Sequence, residues 1–150
     1  MIEQITERDV EIGLAAATWE EAIEVAAAPL VSDGSVKRSY VDAMIDAVKR
    51  VGPYIVLCKG VALAHARPEC GVVKPALHFS VFPEGVAFGK EQFDPIKLVI
   101  TLAAEDDNSH LDLMSELAGI LMDQDNIDEL VSSADAPEFV EKIKRFAAEA

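Results

Sequence analysis

The segment Ile96-Lys97-Leu98-Val99-Ile100-Thr101-Leu102 is almost continuously apolar and rich in β-branched side chains. A strand with one face in water alternates between apolar and polar residues, whereas a strand covered on both faces does not. The segment is also far too short to span a bilayer. It therefore predicts a central strand, and it commits the chain to a sheet with material packed on both sides. Further short runs bounded by turn residues, Tyr54-Ile55-Val56-Leu57, Val61-Ala62-Leu63 and Ala76 through Phe82, supply the other strands.

Helical patterns flank this strand-rich centre. Thr18-Trp19-Glu20-Glu21 has the form of a capping box and predicts a helix running through Glu24 and Ala28 toward Pro29. After the Ser32-Asp33-Gly34 loop, Val36, Tyr40, Val41, Met44, Ile45 and Val48 share one helical face until Gly52-Pro53 ends it. Beyond the sheet, Leu111, Met114, Leu117, Ala118 and Leu121 form an expected apolar stripe. Asp135-Ala136-Pro137-Glu138 caps a last helix expected to bury Val140, Ile143 and Ala147. Residues 2–14 are ambiguous in period. The expected architecture is a three-layer α/β fold, a mixed β-sheet flanked by helices, in a single domain covering residues 1–150.

Composition narrows the function classes. With 27 acidic against 13 basic residues the formal net charge is −14, which argues against nucleic acid because phosphate contacts need clustered Lys and Arg. A positively charged protein partner and plain solubility explain the acidity equally well. Cys58 and Cys70 lack the close spacing of zinc motifs, and the apolar surroundings of Cys58 suppress its thiolate, so neither metal binding nor a cysteine nucleophile is expected. Gly60, Gly85 and Gly89 do not form a phosphate loop. No cofactor is expected. The start Met1-Ile2-Glu3-Gln4-Ile5 has no signal-peptide pattern, and the cytoplasm is the expected compartment.

The chemistry-bearing segment is Gly60-Val61-Ala62-Leu63-Ala64-His65-Ala66-Arg67-Pro68-Glu69. A neutral imidazole nitrogen can attack phosphorus while a nearby guanidinium fork holds the phosphate oxygens. A histidine there also fits a core-edge residue bonded to a backbone carbonyl, and Arg67 also fits an ion pair with Glu69 or Asp106. A second histidine, in Asp106-Asp107-Asn108-Ser109-His110-Leu111, falls near a helix start that Asn108 or Ser109 can cap. There, unpaired amides favour an anion. His78 alternates with Leu77 and Phe79 and reads as a packed or sheet-surface strand residue.

Together with Tyr40-Val41-Asp42-Ala43-Met44 and Phe82-Pro83-Glu84-Gly85-Val86-Ala87-Phe88-Gly89, these segments resemble the enzyme IIA domain of the mannitol/fructose/ascorbate-type bacterial sugar phosphotransferase system. The His-Ala-Arg-Pro-Glu form is most similar to the ascorbate branch. The resemblance implies a type-2 enzyme IIA fold in which His65 is the phosphoacceptor, His110 stabilises the phosphoryl group as a hydrogen-bond donor, and Arg67 contacts the phosphate. It also implies the phosphohistidine protein HPr as donor, a cysteine of a cognate enzyme IIB as acceptor, and membrane enzyme IIC as an indirect partner. Two positions depart from the pattern: Ala64 replaces the usual proline before the active histidine, and Ala47 stands where mannitol-type members carry an arginine. The competing readings are a regulatory phosphohistidine module without onward transfer, and a hydrolase using the two histidines.

Overall fold

Five strands, β1 (Val10–Glu11), β2 (Val56–Cys58), β3 (Val61–Ala64), β4 (Ala76–Val86) and β5 (Ile96–Ala103), form one sheet in the order β1-β4-β5-β3-β2. They are seen in a computed structural model that describes residues 2–149, with side chains described throughout except at 107–110. The sheet is mixed: β1 with β4 and β3 with β5 run parallel, while β4 with β5 and β2 with β3 run antiparallel. The apolar run predicted as a central strand is β5, and its buried side chains enter both cores.

Two helices, α1 (Trp19–Ser32) and α2 (Arg38–Val51), cover one face. Three more, α3 (Asp107–Leu121), α4 (Gln124–Val131) and α5 (Ala136–Glu149), cover the other. Alternation along β3 explains why both faces are apolar: Val61 and Leu63 join the core beneath α3 to α5, while Ala62 and Ala64 join the one beneath α1 and α2. The small residues Ala62 and Ala64 share their core with Ala22, Ala26 and Ala27 of α1, so little side-chain bulk separates that helix layer from the sheet. On the opposite face Phe79 of β4 packs against Phe139 of α5 at a ring-centroid distance of 5.4 Å. The expected three-layer α/β fold is the observed one.

Several local expectations need correction. Residues 2–14 contain the edge strand β1, whose two residues pair with Phe79 and Ser80; so short a strand has no period to read. Helix α1 does not stop near Pro29 but continues to Ser32, because proline removes only one intrahelical bond and Leu30 beyond it is buried. Its cap is as expected at Thr18, whose Oγ1 accepts the Glu21 N–H at 3.2 Å. The Glu21 carboxylate, however, reaches back to the Ala17 N–H at 3.3 Å, one residue earlier than a capping box requires. Helix α3 begins at Asp107, so Asn108 and Ser109 belong to its first turn and are not caps.

The buried stripe of α3 is Leu113, Leu117, Ile120 and Leu121, whereas Leu111 is 62% exposed and Ala118 also faces solvent. The expected stripe placed its first residue on the wrong face, because Leu111 and Leu113 are both apolar and only packing decides between them. In α5 the fully buried residues are Phe139, Ile143 and Phe146, with Val140 and Ala147 packed at their margin. Among the described residues no helix is long and apolar enough to cross a membrane.

The corrected α3 stripe is testable by urea denaturation. Leu117→Ala, at a side chain only 1% exposed, should lower the unfolding free energy by about 2–5 kcal/mol. Leu111→Ala should change it by less than about 0.5 kcal/mol.

Candidate functional site

Strand register places the site. Parallel pairing of β3 with β5 sets Ala64 opposite Thr101, so His65 leaves the sheet level with Leu102. From there the chain leaves β5 and passes through Ala104 and Asp106 into α3. Both strands therefore end on the same edge, the place where open α/β sheets leave a crevice. A cleft of about 280 Å³ lies there, lined by Tyr40, Tyr54, His65, Ala66, Arg67, Pro68, Leu102, Ala104 and Asp106.

His65 is half-buried, and its Nδ1 lies 2.9 Å from the Leu63 carbonyl oxygen. A carbonyl only accepts, so Nδ1 carries the proton and the lone pair of the neutral ring is on Nε2. A carbonyl-bonded histidine and a nucleophilic one are thus compatible, since the bond that ties the ring to the strand leaves the lone pair on Nε2. The Tyr54 ring meets the imidazole edge to face, with centroids 5.8 Å apart and planes at 80°.

Tyr40 fixes the next residue. Its buried hydroxyl donates to the Leu102 carbonyl at 2.6 Å and accepts the Ala66 N–H at 3.0 Å, joining α2, the exit of β3 and the end of β5. Burial pushes the phenol pKa up to about 12, so the hydroxyl keeps the proton it donates. The loop carrying Arg67 is docked on the start of α2. The Ser39 hydroxyl donates to the Cys70 carbonyl, and the Lys37 N–H donates to the Gly71 carbonyl, each at 2.8 Å. Gly71 is required at that contact, because at φ +146° a Cβ would lie 2.8 Å from Ser39 Oγ and 3.0 Å from Tyr40 N.

Arg67 lies on the cleft wall with an exposed side chain. Among the described residues its guanidinium makes no ion pair, with Glu69 and Asp106 included, so its donors stay available to an incoming anion. The backbone of His110 lies in the first turn of α3, and its side chain lies outside the described residues. His78 is remote in role: it is 1% exposed, and its Nε2 donates to Glu11 Oε1 at 3.2 Å, tying β4 to the edge strand β1. Burial pushes the His78 pKa down, with the Glu11 carboxylate opposing that shift. Cys58 and Cys70 are both free thiols, and burial pushes the Cys58 thiol up. Tyr40 and Tyr54 were not singled out from the sequence, where they read as a helix-face residue and a strand residue. A buried tyrosine needs a hydroxyl partner, but no spacing in the chain says which backbone atom will be that partner.

These features define an α/β protein that presents a histidine and an arginine in an open cleft at the ends of two parallel strands. Residues 3–146 match the family described as "Phosphoenolpyruvate-dependent sugar phosphotransferase system, EIIA 2", and the chain belongs to that family. It is 31% identical over 139 residues to the mannitol-specific cryptic phosphotransferase enzyme IIA component of Escherichia coli K12, covering 93% of this chain and 94% of that one. It is 33% identical over 129 residues to the ascorbate-specific enzyme IIA component of Salmonella choleraesuis, covering 85% and 84%. Among solved structures, it superposes on the mannitol enzyme IIA of Escherichia coli, determined in complex with phosphorylated enzyme IIB, with a TM-score of 0.82 and 33% identity. That match covers 95% of this chain and 98% of its counterpart.

Tyr40→Phe removes the hydroxyl and leaves the Ala66 N–H and Leu102 carbonyl without their partner. The expected result in chemical denaturation is a loss of about 1–3 kcal/mol.

Proposed function

We propose that this chain is a phosphocarrier in which His65 Nε2 accepts a phosphoryl group from phospho-HPr and hands it to a cysteine of a cognate enzyme IIB. The observation that carries this reading is the Nδ1–H bond to the Leu63 carbonyl, which leaves the nucleophilic lone pair on Nε2. In the step itself the donor's N–P bond breaks and its ring nitrogen keeps the electron pair, while a new P–N bond forms at Nε2. No proton has to leave His65. The ring gains positive charge as the bond forms, and the Leu63 carbonyl, already accepting from Nδ1, stabilises that charge. Phosphoryl transfer depends mainly on positioning and electrostatic stabilisation, and the Arg67 fork supplies the cation for the equatorial oxygens.

His110 is proposed as a second donor to the phosphoryl group, consistent with its place in the first turn of a helix that starts at the cleft. The residues form one carrier domain acting in the cytoplasm, with the membrane enzyme IIC reached only through enzyme IIB. A docked partner closing the cleft would exclude water and protect the phosphoramidate. The relatives named above are specific for mannitol or ascorbate, and ascorbate or a related carbohydrate is the branch expected here. The carrier itself touches phosphoproteins and not the sugar.

Incubation with phosphoenolpyruvate, enzyme I and HPr should phosphorylate the wild type, leave His65→Ala unlabelled, and label His110→Ala more slowly. Arg67→Ala should slow labelling by about 10–100-fold, the worth of one hydrogen bond to a charged group. Addition of enzyme IIB should then discharge the label. Retention of the label would favour a regulatory module without onward transfer, and absence of labelling with competent HPr would remove the carrier function.

A further inference from the structure

An imidazole at a strand exit turns about two side-chain torsions, and only a narrow range of them keeps Nδ1 on the Leu63 carbonyl. The flanking residues Ala64 and Ala66 carry no ring that would lock the backbone there. The orientation of His65 therefore depends on what packs against it. Tyr54 meets it at two points. Its ring lies edge to face with the imidazole, at a centroid distance of 5.8 Å, and its hydroxyl donates to the His65 carbonyl at 3.4 Å. Edge-to-face pairs are directional, so rotation of the imidazole would break the contact.

Tyr54 is itself held from behind. It sits in the tight turn after α2, where its N–H donates to the Gly52 carbonyl at 2.7 Å and the Gly52 N–H closes the helix on the Val48 carbonyl at 2.8 Å. Its side chain nevertheless remains 41% exposed, more than a core contact requires, because one side forms the wall of the cleft. We propose that Tyr54 is a positioning residue for His65: its ring keeps the imidazole on the Leu63 carbonyl, and so keeps Nε2 aimed into the cleft. The hydroxyl contact is the weaker of the two, at the long end of hydrogen-bond range. Tyr40, on the body of α2, secures the neighbouring Ala66 peptide, so Tyr54 acts on a segment whose far end is already fixed. This inference rests on the carrier function proposed above.

The test compares Tyr54→Ala and Tyr54→Phe with the wild type in two measurements. The first is the ¹⁵N spectrum of the His65 ring in the unphosphorylated protein, which distinguishes the Nδ1–H from the Nε2–H tautomer. Wild type should show Nδ1–H, Tyr54→Phe should keep it, and Tyr54→Ala should move both nitrogens toward averaged values. The second is phosphoryl uptake from phospho-HPr. Tyr54→Ala should lower the maximal rate about ten-fold with the half-saturating donor concentration changed by less than about two-fold, while Tyr54→Phe stays within about three-fold of wild type. A wild-type tautomer and rate in Tyr54→Ala would overturn the assignment. So would a Tyr54→Phe rate as low as that of Tyr54→Ala with the tautomer unchanged, since the hydroxyl would then act in the chemistry. A wild type that takes up no phosphoryl group would overturn the carrier function instead, and the ring spectrum would still decide whether Tyr54 orients His65.

Discussion

Parallel pairing of β3 with β5 is the constraint on which the other features depend. The register that sets Ala64 opposite Thr101 puts the exits of both strands at one edge of the sheet, and with them His65 and the start of α3. A slip of one residue would turn Leu63 toward the α1 and α2 layer and Ala64 toward the α3 to α5 layer. That slip is costly because along β3 the small Ala62 and Ala64 lie in the core of α1 and α2, while the larger Val61 and Leu63 lie in the core of α3 to α5, and a close-packed core tolerates neither the extra bulk on one face nor the void on the other. The packing that makes the protein stable is thus also what places the histidine.

A second layer of organisation is polar and acts on the backbone. In the segment leaving β3 the imidazole Nδ1–H donates to the Leu63 carbonyl, the Ala66 N–H donates to the Tyr40 hydroxyl, and the His65 carbonyl accepts from the Tyr54 hydroxyl. The partners lie on β3, on α2 and in the turn after α2, so movement of the loop would break several contacts at once. The Arg67 guanidinium differs in being left exposed and unpaired among the described residues. Groups that orient His65, the proposed nucleophile, are held, and the group proposed to meet the phosphate stays available. That division suits transfer between protein partners, where positioning must precede docking.

Much of this was legible in the chain. The continuous apolarity of Ile96 to Leu102 required a strand covered on both faces, and the helical periods on either side supplied the cover. The resemblance carried by His65, Arg67 and the segment around His110 pointed to a family that the match over residues 3–146 establishes. What the chain concealed has physical reasons. A two-residue edge strand such as β1 is too short for alternation to register. In α3, Leu111 and Leu113 are equally apolar, and only the packed core selects Leu113. The roles of Tyr40 and Tyr54 arise from contacts across 26 and 11 residues of sequence, which no local pattern encodes.

The most direct measurement is the NMR spectrum of ¹⁵N-labelled protein after phosphorylation by HPr, read for coupling between phosphorus and the ring nitrogens. Phosphorus bonded to Nε2 of His65, with Nδ1 still protonated, is the expected result. Phosphorus on Nδ1 of His65, or on a different residue, would contradict the proposal that the Leu63 carbonyl selects the nucleophilic nitrogen.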